Sequence, residues 1–90
     1  MGYDSVTVLV VEDEVLVRMD IVRSLENYGF DVLEASNADE AIILLNAHPE
    51  VRLMFTDIDM PGSMDGLKLA TAVRDRWPPV KIIVTSGHRE

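Results

Sequence analysis

Ninety residues, 48% hydrophobic and 27% charged, suit one small soluble domain and leave no room for a two-domain enzyme. Sixteen Asp and Glu against eight Lys and Arg give a formal charge of −8, which argues against direct binding to nucleic acid or to an anionic membrane. No apolar run approaches the ~20 residues of a membrane span and no signal-peptide core opens the chain, so the expected compartment is the cytoplasm; the absence of cysteine excludes disulfides, thiolate metal sites and cysteine nucleophiles.

Val6 to Val11 is an unbroken β-branched and apolar run, the pattern of a strand buried on both faces. It stops at Glu12, Asp13 and Glu14, where Asp13 is placed to cap the following helix. In that helix Val15, Met19, Val22, Leu25 and Tyr28 recur at intervals of three and four and predict the buried face, with Arg18, Arg23, Glu26 and Asn27 mostly outside. Gly29 supplies a left-handed stop. Asp31 to Ala35 reads as a second strand. Asn37 with Glu40 three residues on predicts a capping box opening a helix from Ala38 to about Ala47, ended by His48 and Pro49.

Val51 to Thr56 reads as a third strand, closed by Asp57 and Asp59, and a turn follows over Met60, Pro61, Gly62 and Ser63. Leu67, Leu69, Ala70 and Val73 outline a third helix that breaks at Trp77, Pro78 and Pro79. Val80 to Val84 forms the fourth strand, followed by Thr85, Ser86 and Gly87. Strands alternating with single helices predict a doubly wound parallel sheet of the α/β class.

Three of these strands end at their carboxyl tips in oxygen-bearing side chains: Glu12 and Asp13, then Asp57, then Thr85 and Ser86. A parallel sheet brings all carboxyl tips to one edge, where ligands bind at the point of reversed strand order. If the first and third strands are neighbours, Glu12, Asp13 and Asp57 crowd together, and their repulsion raises one or more of their pKa values unless a cation intervenes. Oxygen-only donors favour Mg2+. A carboxylate beside Mg2+ can attack phosphorus and become an aspartyl phosphate. In that chemistry Asp57 suits the nucleophile, Asp13 a direct metal ligand, Glu12 a ligand through water, and the backbone carbonyl of Asp59 a further ligand. Ser86, or less favourably Thr85, suits a hydrogen bond to a phosphoryl oxygen.

The runs VLVVEDE at 8–14, FTDIDMP at 55–61, MDG at 64–66 and IVTSGH at 83–88 resemble response-regulator receiver domains, in order and over essentially the whole chain. The resemblance implies a flavodoxin-like receiver fold, normally ordered 2-1-3-4-5. It also implies Asp57 as phosphoacceptor, Glu12 and Asp13 as the acidic pair, Ser86 as switch hydroxyl and Gly87 as the small residue beside the phosphoryl group. The implied donor is the phosphohistidine of a histidine kinase or phosphotransfer protein, within two-component signalling. Two features depart from the family pattern. The loop between Pro61 and Met64 is one residue longer, and the lysine closing the fifth strand has no counterpart, since Lys68 lies in the third helix and Lys81 in the fourth strand. The expected domain therefore spans 1–90 in the order 2-1-3-4, with the fifth β/α unit missing and a fourth-strand edge that invites a homodimer.

Two other readings compete. The Asp57-x-Asp59 pair also resembles haloacid-dehalogenase phosphatases, although there it follows the first strand. A degenerate receiver would serve only as a protein-binding module. The receiver reading makes the chain a phosphoacceptor acting on itself rather than an enzyme. Among other residues, Met19 and Met54 read as core fillers, His48 as a cation at a helix end, and Trp77 as packing near Pro78 and Pro79 at the pole opposite the acids.

Overall fold

The computed structural model describes residues 5–58 and 65–85. Every residue of the first strand, β1 (Thr7–Val11), is buried, as its apolar run requires. Alternating side chains feed two layers. Val8 and Val10 pack with Val22 on one face of the sheet, whereas Leu9 and Val11 join Leu45, Met54, Leu69 and Val73 on the other. The elements run β1, α1 (Val15–Asn27), β2 (Asp31–Ala35), α2 (Ala38–Ala47), β3 (Val51–Asp57), α3 (Gly66–Arg76) and β4 (Lys81–Thr85).

Together they build a parallel four-stranded sheet in the order β2-β1-β3-β4, with α1 covering one face and α2 and α3 the other. This is the doubly wound α/β arrangement that the alternation predicts. Its central strands, β1 and β3, carry the acids, and strand order reverses between them. β2 and β4 are the edges among the described residues and are the less buried strands. No helix among the described residues is long and apolar enough to cross a membrane.

Helix ends follow local chemistry with several departures from expectation. Gly29 ends α1 at φ 97°, where its lack of a β-carbon removes the steric penalty. Asn37 caps α2 by accepting from the Glu40 amide at 2.9 Å. The carboxylate of Glu40 turns to Ser36, accepting from its amide at 2.7 Å and its hydroxyl at 2.8 Å, so the reciprocal bond serves the residue before the cap. Asp13 is not the cap of α1: Glu14 holds that position without a side-chain bond. Asp65, in contrast, caps α3 by accepting from the Lys68 amide at 2.9 Å.

The buried face of α1 also differs from the expected one. Only Val22 is buried there, with Ile21 and Leu25 packed beside it. Val15 is 55% exposed, Met19 47% and Tyr28 83%, so Met19 is no core filler, whereas Met54 is one. Apolar residues surround much of this helix, and several faces satisfy a three-and-four spacing. Docking on β1 and β2 selects the face centred on Val22 and turns Arg18 inward from its expected solvent position. In α3, Leu69 and Val73 are buried as expected while Leu67 is exposed, and Gly66 packs inward.

Trp77 lies at the opposite edge of the sheet from the acids, as its position after α3 predicts. It lines a cavity of about 260 Å³ with Pro79, Leu45 and Val51. The Arg76 guanidinium stacks 4.5 Å from its ring centroid. His48 ends α2 with Nδ1 placed 3.0 Å from Glu50 Oε2.

Candidate metal and phosphoryl site

Because β1 and β3 are paired neighbours, Val11 standing beside Thr56, the residues that follow them emerge together at one edge. Glu12, Asp13 and Asp57 each offer a carboxylate oxygen, and these oxygens lie within 4.8 Å of one another. The cluster expected from the sequence is thus assembled. Glu12 is only 5% exposed and Asp57 only 3%, so two of the three acids are largely removed from water.

The Glu12 carboxyl is pushed above its ordinary value chiefly by burial. A bond from the Glu14 amide at 3.0 Å opposes that rise, and the charge of Asp57 adds to it, together with its contacts to the Asp13 and Asp57 carboxylates. Crowding of charge therefore contributes, as expected, but desolvation contributes more. Buried carboxylates converging in this way fit a hard divalent cation in donor chemistry, since every donor is oxygen.

Backbone bonds hold the frame of the site. The Glu12 amide donates to Ala35 at 3.0 Å, tying the β1 tip to β2. Beyond β3, the Ile58 amide donates to Thr85 at 2.9 Å, and the Gly66 amide donates to Ile58 at 3.0 Å. Thr85 is the register partner of Asp57. The buried Thr56 hydroxyl donates to the Asp57 carbonyl at 3.1 Å. Asp59, Ser86 and Gly87, all assigned roles from the sequence, lie outside the described residues, as does the turn over Met60 to Ser63.

Two residues of this neighbourhood were not legible as site components. Arg18 reaches the Glu12 carbonyl with Nη1 at 2.8 Å, and Gly66 sits directly against the backbone of Asp57 and Ile58. The MDG run contained Gly66, but nothing local signals a packing role. Arg18 looked like an ordinary exposed helix residue.

Residues 8–90 match the response regulator receiver domain family. The chain belongs to that family. This receiver is 42% identical over 87 residues to the sensor kinase CckA of Brucella abortus, covering 96% of the chain and 9% of that protein. It is 40% identical over 90 residues to the hydrogenase transcriptional regulatory protein HoxA of Cupriavidus necator, covering all of the chain and 18% of that protein. The chain thus spans less than a fifth of either relative. Among solved structures, a response regulator receiver protein from Pseudomonas putida superposes with a TM-score of 0.86 at 31% identity, covering 98% of the chain and 73% of that protein. The fold is therefore the flavodoxin-like fold of receiver domains from two-component systems.

Proposed function

We propose that this receiver accepts a phosphoryl group on Asp57 from the phosphohistidine of a histidine kinase or phosphotransfer protein in the cytoplasm. The observation that carries the reading is the burial of Asp57 at the tip of β3, grouped with Glu12 and Asp13 and flanked in register by Thr85. A carboxylate oxygen of Asp57 attacks phosphorus; the O–P bond forms as the P–N bond breaks, and the electron pair returns to the imidazole nitrogen. The side chains of Glu12, Asp13 and Asp57 would hold Mg2+, with the Asp59 carbonyl assigned to the same shell from its sequence position. When bound, the ion supplies neutralisation of the charge on the phosphoryl oxygens.

The chain's own residues do the positioning. Pairing of β1 with β3 presents the acids together, and the Glu14 amide orients the Glu12 carboxylate. Ser86 is the proposed hydroxyl donor to a phosphoryl oxygen, with Thr85 as the less favoured one, and Gly87 the residue that leaves room for the group. Hydrolysis of the aspartyl phosphate restores the resting state, so the chain turns over only itself.

The test is intact-mass measurement after incubation with acetyl phosphate and Mg2+. One phosphoryl adduct is expected on the native chain and none on Asp57→Asn. Labelling that survives in Asp57→Asn removes Asp57 from the role. A native chain that takes no label reduces the function to protein binding.

A further inference from the structure

Three consecutive peptide groups surround the acidic pair, and each takes part in a hydrogen bond. The Glu12 amide donates to Ala35 at 3.0 Å, the Glu12 carbonyl accepts from Arg18 Nη1 at 2.8 Å, and the Glu14 amide donates to Glu12 Oε2 at 3.0 Å. The middle bond is the only one of the three made by a side chain from another element. Arg18 is itself oriented from β2, where Glu34 Oε1 accepts from its Nε at 3.1 Å. The Arg18 side chain is 17% exposed and that of Glu34 46%, so solvent screens the ion pair while the bond to the Glu12 carbonyl is partly buried.

We infer that Arg18 is a positioning residue for metal binding, holding the peptide between Glu12 and Asp13 so that both carboxylates face Asp57. Because a peptide group is planar, fixing the Glu12 carbonyl sets the rotation after the Glu12 α-carbon and with it the position of the Asp13 nitrogen and α-carbon. That position limits where the Asp13 side chain can leave the backbone. The guanidinium suits the task because its rigid fork serves two acceptors at once, the Glu12 carbonyl and the Glu34 carboxylate. This inference rests on the proposed Mg2+-assisted reading of Asp57.

The sign of the effect separates positioning from charge. By electrostatics alone, removing a cation beside three carboxylates tightens binding of another cation. Loss of positioning weakens it. Calorimetric titration of Mg2+ into the full chain, without phosphodonor, reads the difference. Arg18→Met is expected to raise the Mg2+ Kd roughly tenfold, the scale on which loss of a group orienting a metal ligand acts. Arg18→Lys retains one donor and is expected to recover part of the affinity. Glu34→Gln keeps the guanidinium and is expected to raise the Kd about twofold to threefold, a neutral amide orienting it less firmly than a carboxylate.

A second readout is acetyl phosphate labelling at increasing Mg2+. The half-saturating concentration is expected to move with the Kd, while the rate at saturating Mg2+ stays within about twofold of native. Tighter or unchanged Mg2+ binding in Arg18→Met overturns the inference. Should that variant not fold, unchanged binding in both Arg18→Lys and Glu34→Gln overturns it equally. A native chain that binds Mg2+ but is not labelled refutes the phosphoacceptor reading alone, and the Kd shift still decides the role of Arg18. A native chain that binds no Mg2+ overturns both.

Discussion

Gly66, the first residue of α3, is packed against the main chain of Asp57, the last residue of β3. A β-carbon at position 66 would lie 2.7 Å from the Asp57 carbonyl carbon and 2.8 Å from the Ile58 α-carbon, and closer still to the Asp57 carbonyl oxygen. The neighbouring atoms are backbone, held in place by the Ile58 amide bond to Thr85 and the Gly66 amide bond to Ile58. They have no rotamer through which to yield.

Gly66→Ala is therefore expected to destabilise the fold by overpacking, at about 1–3 kcal/mol or more. For a domain of this size each kcal/mol corresponds to roughly 4–8 °C in Tm. Thermal denaturation followed by circular dichroism checks this, and an unchanged Tm would show that the close approach does not exist. The same substitution displaces the backbone of Asp57, so labelling should fall even in the fraction that folds.

Mg2+ is expected to raise the melting temperature by several degrees, because the proposed site would hold it only where folding assembles the carboxylates. At about ten times its Kd, such a ligand adds roughly 1.4 kcal/mol. Trp77 fluorescence should barely respond to the same addition, since its ring lies at the far edge of the sheet. Strong quenching would place the cation near Trp77 rather than at the acids, and an unchanged Tm would show that the assembled carboxylates do not hold it.

The start of α2 should give part of the acid limb of stability. Two donors from Ser36 hold the Glu40 carboxyl below its ordinary value of 4.5, the amide contributing most. A depressed carboxyl favours the fold while ionised. Its contribution is complete above about 4.5 and is lost as pH falls through the lower folded value. Native and Glu40→Gln chains are expected to differ in Tm near neutral pH and to converge in acid. A gap that persists at about pH 2, well below the unfolded carboxyl range, would rule out this linkage.

Element order was legible with small shifts at the ends. β2 and α2 have the bounds read from the residues, β1 begins one residue later, β3 extends to Asp57, and β4 is displaced by one residue. These boundaries are set by short-range chemistry, such as the apolar run at 7–11, the Asn37 cap and the left-handed Gly29. The convergence of Glu12, Asp13 and Asp57 was legible for a different reason: parallel strands put their carboxyl tips at one edge. The buried face of α1 was not legible. Val15, Met19 and Val22 fit helical spacing, as do Ile21, Val22 and Leu25, and periodicity cannot choose between them when apolar residues surround most of the helix.

The alternation of strands and helices, the receiver family and the edge at which the acids meet could all be read from the residues, because each depends on neighbours in the chain or on topology alone. What surrounds those acids depends on packing. Arg18 joins Glu34 across 16 residues of sequence, and Gly66, at the start of α3, meets Asp57, at the end of β3. Neither relationship has a local signature. Each exists because a helix docks on the sheet at one rotation and one distance, which many side chains must agree on at once.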